Sequence, residues 1–230
     1  MNRKITFSKT WINGIAAGIA LSIAGAASIM CSAGIENQSV ATLVKSAIFP
    51  MGLMLIVFSG FSLFTGNVYN FARVPKMSLS RYIALLTCNW FANFLGAFCV
   101  SLAIAMTCKN VYPEAFATIA ENKIAPDPLL LLSSGIFANM CVCLAVALAQ
   151  KAQTLIAKAL CIFIPVSFFV CMGWEHSIAN MFYLPYGILM GANITVGQAI
   201  FFNLVPVTVG NIIGGIIILL LVSYNAKSEV

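Results

Sequence analysis

Long apolar blocks alternate along this chain with short polar gaps. A helix rising 1.5 Å per residue needs about 20 apolar residues to cross the hydrocarbon core of a bilayer. Blocks of that length fall at 10–32, 46–71, 82–108, 129–150, 158–184 and 198–224. The pattern predicts an all-α membrane protein with six transmembrane helices. The second and fifth blocks differ from the others. Gly60-Phe61-Ser62-Leu63-Phe64-Thr65-Gly66-Asn67 and Gly173-Trp174-Glu175-His176-Ser177-Ile178-Ala179-Asn180 put polar residues where a span should be most apolar. Backbone leaves the helix inside a bilayer only where protein or a cavity surrounds it, so both blocks are expected to be broken helices.

These two strings also match each other: Gly, aromatic, polar, three variable positions, small, Asn. Gly14-Ile15-Ala16-Ala17-Gly18 in the first block is similar to Gly135-Ile136-Phe137-Ala138-Asn139 in the fourth, and Asn93-Phe94-Leu95-Gly96 in the third to Asn211-Ile212-Ile213-Gly214 in the sixth. Three matches in order imply a duplication, with repeats over about 9–108 and 128–224 of a single channel domain spanning 1–230. Each half holds three spans, an odd number, so the second half enters the membrane upside down. Inverted repeats of this kind build channels and transporters, and half-helix N-termini aimed at the midplane suit an anion.

Composition agrees with membrane residence and narrows the function. The chain has 61% hydrophobic and 8% charged residues, with a mean hydropathy of +1.00. A soluble domain carries about a quarter of its residues charged, so a soluble enzyme is excluded. The net charge of +6 comes from twelve Lys and Arg against six Asp and Glu, scattered between blocks. No basic patch for nucleic acid exists, and the charges report topology instead. Arg3, Lys4, Lys9, Arg73, Lys76, Arg81, Lys151, Lys158 and Lys227 fall on one face, against Lys45, Lys109 and Lys123 on the other, which also holds Glu36, Glu114, Glu121 and Asp127. The positive-inside rule puts both termini in the cytoplasm, in a multi-pass protein of the cytoplasmic (inner) membrane. The first apolar block is long enough to span and is required by the repeat, so it is read as a helix rather than a cleaved leader.

Candidate chemistry is sparse. The eight Cys lie mostly inside apolar blocks with no CxxC pair, and no Walker loop, GxGxxG or HExxH is present. Neither a metal nor a cofactor is expected, and no enzyme is indicated. His176, the only histidine, lies mid-span beside Glu175. An ionisable group there costs at least about 2.5 kcal/mol and marks a functional position unless it is a neutral core residue. Glu175 would repel an anion, so a structural role at the helix break is expected for it. Thr65, Asn67, Asn180 and Asn211 are equally able to cap freed backbone, and Thr65 is the favoured pore-lining residue. A neutral-solute pore of aquaporin or ammonia type remains the alternative.

Three strings carry a family resemblance: Leu63-Phe64-Thr65-Gly66-Asn67, Gly173 through Met181, and Asn203 through Gly215. They resemble signatures of the formate/nitrite transporter family, and the likeness extends from Lys9 to the end of the sixth block. It implies an aquaporin-like fold, a homopentamer in the lipid bilayer with one pore per protomer, and small monovalent anions such as formate, nitrite or hydrosulfide. Carried over by position, it puts a cytoplasmic constriction at Phe49, Leu53 and Phe64, and a second at Leu63 and Phe169. The polar centre falls on Thr65, His176, Asn180 and Asn139, Lys9 and Lys123 attract anions, and Glu175, Asn67 and Asn211 serve the helix breaks. Two departures stand out. Ser62 occupies a position that is usually acidic, and the N-terminal amphipathic helix is nearly absent.

Overall fold

The computed structural model describes residues 5–108 and 111–228, and side chains up to Tyr224. Arg3, Lys4, Lys109 and the Lys227 side chain, which enter the loop-charge count, lie outside that description. The described chain is helical: α1 Phe7–Ser32, α2 Gln38–Ile48, α3 Pro50–Ser59, α4 Phe64–Ala72, α5 Leu79–Thr107, α6 Pro113–Ile124, α7 Pro128–Lys151, α8 Leu155–Cys171, α9 Ser177–Leu189, α10 Val196–Gln198, a π-helical segment Ala199–Leu204, and α11 Val205–Ser228.

Among the described residues, five stretches are long and apolar enough to cross a membrane: Phe7–Ser32, Gln38–Ser59, Leu79–Thr107, Pro128–Lys151 and Val196–Tyr224. The expected fifth block is shorter, split between α8 and α9. Polar caps fix the ends, with Thr6, Asn37, Ser78, Asp127 and Thr154 each accepting a first-turn backbone N–H. The outer surface stays apolar, with Ile12, Ile83, Leu130, Phe168 and Leu220 exposed, as befits contact with lipid or neighbouring subunits.

Two differences from the sequence reading bear on the site. The second helical stretch begins at Gln38, well before 46, because Asn37 caps it, and Lys45 therefore lies inside it. The segment before α7, read as a loop, contains α6, started by Pro113 at its first turn. Phe116 of α6 packs edge-on against Tyr186 of α9 at 4.5 Å between ring centroids.

The two halves repeat each other in detail. α1 packs on α5, and α7 on α11. A Cβ at Gly96 would overlap the Ile15 carbonyl, and one at Gly214 would overlap the Ile136 carbonyl, so each pair of helices meets backbone to backbone. α3 ends at Gly60 (φ 71°) and α8 near Gly173 (φ 68°), both left-handed. Phe61 N–H donates back to Ile56 O at 2.9 Å and Trp174 N–H to Phe169 O at 3.0 Å, the same C-terminal stop in both halves. After each stop the chain runs extended for a few residues and starts a new helix, α4 after Leu63 and α9 after His176.

Candidate pore and vestibules

Each break is held by one buried asparagine. Asn93 of α5 donates to Gly14 O (2.7 Å) and Ser62 O (2.9 Å), while its Oδ1 accepts from Phe64 N–H at 2.8 Å. Asn211 of α11 donates to Gly135 O (2.8 Å) and Glu175 O (3.1 Å) and accepts from Ser177 N–H at 2.9 Å. The same three backbone groups are satisfied at corresponding places, which is how non-helical backbone survives away from water. Asn139 joins the halves, donating to Thr65 O at 3.2 Å and to Asn211 O. Its side chain is fully buried among these carbonyls.

The N-termini of α4 and α9 meet at the centre, where Thr65 Oγ1 and His176 Nε2 are 2.9 Å apart. His176 is also the N-cap of α9, its Nδ1 accepting from Ala179 N–H at 3.2 Å. That bond requires a lone pair on Nδ1, so the ring hydrogen sits on Nε2 and is offered to Thr65 Oγ1. The imidazole in this arrangement is a neutral donor pointing at the centre.

Cavities lie on both sides of the pair. One of about 100 Å³ is lined by Lys45, Lys123, Phe49, Phe169, His176 and Asn180, among others. On the other side, one of about 790 Å³ holds Leu53, Leu63 and Gly66 beneath Arg73 and Lys158, and one of about 450 Å³ holds Lys9, Ser62 and Asn67. The Phe49 and Phe169 rings meet edge-on at 5.8 Å, and Phe169 stacks on His176 at 5.9 Å. The grouping of apolar residues thus differs from the sequence reading. Phe49 pairs with Phe169, whereas Leu53 and Leu63 line the opposite cavity. Phe64 borders an outward groove with Trp90 and Ile212. Phe49 and Leu53 are one helical turn apart on either side of the start of α3 at Pro50, and they line different cavities.

Glu175 is occupied. Both its oxygens accept from Lys123 Nζ at 3.0 Å, and Asn180 donates to Oε2. This is the one ion pair among the described residues. Lys123 also lies over the Tyr183 ring at 5.3 Å. Asn67, the counterpart of Asn180, donates to Ser62 Oγ at 2.7 Å and to Asn89 Oδ1. Where one half has Lys123 and a carboxylate, the other has Lys9 and a hydroxyl.

Residues to which the sequence reading gave no site role complete the site. Asn203 accepts from Asn180 at 2.6 Å and donates to Lys123 O at 2.6 Å, carried there by the π-helical turn. Asn89 binds Ser62 O at 2.6 Å. Lys45 lines the smaller cavity from α2. The paired spacing Asn89-x₃-Asn93 on one helix face was a visible signal for the first half. Nothing in the sequence announces a π turn.

The comparisons with known proteins agree with this geometry. A formate/nitrite transporter family model matches residues 2–225. The formate channel FocA of Escherichia coli K12 is 34% identical over 236 residues, covering 90% of this chain and 82% of that one. An uncharacterized transporter, YrhG of Bacillus subtilis, is 36% identical over 207 residues, covering 84% of this chain and 76% of YrhG. A solved pentameric formate channel with formate bound superposes with a TM-score of 0.88 at 27% identity, covering 96% of this chain and 97% of the other. With the fold, the paired breaks and the match along nearly its whole length, this chain belongs to the formate/nitrite transporter family.

Proposed function

We propose that the protein is a channel for small monovalent anions of weak acids, with formate the first candidate and nitrite and hydrosulfide close behind. The observation that carries the reading is the Thr65–His176 pair, 2.9 Å apart and buried between two cavities with basic linings. Apolar side chains on either side, Phe49 with Phe169 and Leu53 with Leu63, strip hydration from an ion, and the Thr65 hydroxyl, oriented by the His176 Nε2–H, replaces part of it. Names of relatives support formate. The pentameric neighbour supports five copies per assembly. Loop charge supports both termini in the cytoplasm. Members of this family are transporters and channels, and transport here involves no covalent chemistry.

Conduction through a neutral His176 is passive. A proton-linked mode needs a second ring proton on Nδ1 and breaks the Ala179 bond. Flux of formate, nitrite, hydrosulfide and chloride into liposomes, recorded against pH at clamped voltage, tests both. Current that follows voltage and survives His176→Asn marks the passive mode. Flux that follows the proton gradient and is lost in His176→Asn marks the linked one. Absence of flux for all four anions overturns the reading and leaves a pore for a small neutral solute.

A further inference from the structure

Among the described residues, Lys45 is a half-buried cation without a protein counter-charge, lining a cavity. It sits about 10 Å inside the helix that starts at Gln38. It lines the same small cavity as Lys123, His176 and Asn180, one helical turn before Phe49 of the aromatic pair. Two ammonium groups, Lys45 and Lys123, line that cavity, and the carboxylate beside them, Glu175, lies behind its wall, bonded to Lys123. Both oxygens of Glu175 are taken by Lys123, and Asn180 donates to it as well. The cavity therefore carries a net positive charge. A lysine placed only to reach lipid headgroups would extend its ammonium outward along the helix surface. This one is partly buried against α8 and lines the cavity.

We propose that Lys45 is the capture residue of this vestibule, holding a small monovalent anion such as formate between its ammonium and the Lys123–Glu175 pair before the anion passes Phe49 and Phe169. The assignment rests on the anion-channel reading and names the residue that feeds it. Lys123 is neutralised by Glu175 and shapes the site, and Lys45 supplies the uncompensated charge. A volume of about 100 Å³ has room for a partly dehydrated ion of a few atoms.

Trp174 lines the same cavity and reports on its ions. The chain has three tryptophans, so Trp11→Phe with Trp90→Phe leaves Trp174 as the sole emitter. Quenching by iodide measures anion occupancy beside it, and quenching by neutral acrylamide measures plain access. The expected result is a fall of about threefold or more in the iodide constant for Lys45→Met, near-full retention in Lys45→Arg, and no change with acrylamide. Formate should compete with iodide in the parent protein and fail to do so in Lys45→Met. Equal iodide quenching in parent and Lys45→Met overturns the proposal, as does a parallel loss in Lys45→Arg or a matching fall with acrylamide. Formate flux of the parent in liposomes separates the two claims. No flux with an intact iodide effect sinks the formate-channel reading alone, and flux with no iodide effect sinks the capture site alone.

Discussion

His176 is committed on both ring nitrogens, one to the α9 backbone and one to Thr65. On the proposed reading, removing the Thr65 hydroxyl takes away a donor to the anion at the central polar pair. Thr65→Val should lower formate flux by about tenfold, the effect of about 1.4 kcal/mol, without altering assembly, as read by liposome flux and gel filtration. Ser62 offers a test of opposite kind. Glu175 occupies the corresponding place in the other half and neutralises Lys123. Ser62→Glu should neutralise Lys9 in the same way, reducing flux at low formate and flattening its dependence on salt. The single histidine and the Thr65 string were legible because ionisable and polar groups stand out in apolar sequence. Lys45 was not, since its place depends on where the helix begins, and Asn37 as cap was hidden among other loop polar residues. The partner of Phe49 was equally hidden, because Phe169 lies far off in sequence and meets it only where α8 packs against α2 and α3.

Helix breaks of this protein rest on two kinds of glycine. Gly173 is left-handed with open space around it, so Gly173→Ala should cost only the backbone penalty, about 1–2 kcal/mol. Gly96 is ordinary helix pressed on the Ile15 carbonyl, so Gly96→Ala must push α1 from α5 and should cost about 3 kcal/mol. Unfolding by sodium dodecyl sulfate in mixed micelles ranks the two. Asn211→Leu should destabilise by about 3 kcal/mol or more, because Ser177 N–H and two carbonyls lose their partner together, and Asn93→Leu should match it. Most of the helices, and both breaks, could be read from the chain, since apolar length and the repeated Gly and Asn are local signals. α6 escaped because a short helix of mixed polarity looks like any loop. The π turn escaped because it is a matter of register: it brings Asn203 to Asn180, a task Asn89 performs for Asn67 without one.

For the whole molecule, the duplication gives two halves with the same skeleton and different charge. The described face with Arg73 and Lys158 has no carboxylate, whereas the face with Lys123 has Glu36, Glu114, Glu121, Asp127 and Glu175. Transplanting the loop lysines to the other face should invert the protein in the membrane, and fluorescent-protein fusions to the C-terminus would read the change of side. The polar framework that holds both breaks is mainly asparagine and backbone, which carry none of the Lys and Arg bias that sets orientation. Orientation and conduction are thus written in separate parts of the chain. An inverted copy would keep its central donors and conduct, but the Lys45 vestibule would now open to the opposite compartment, so any rectification of its current would reverse sign.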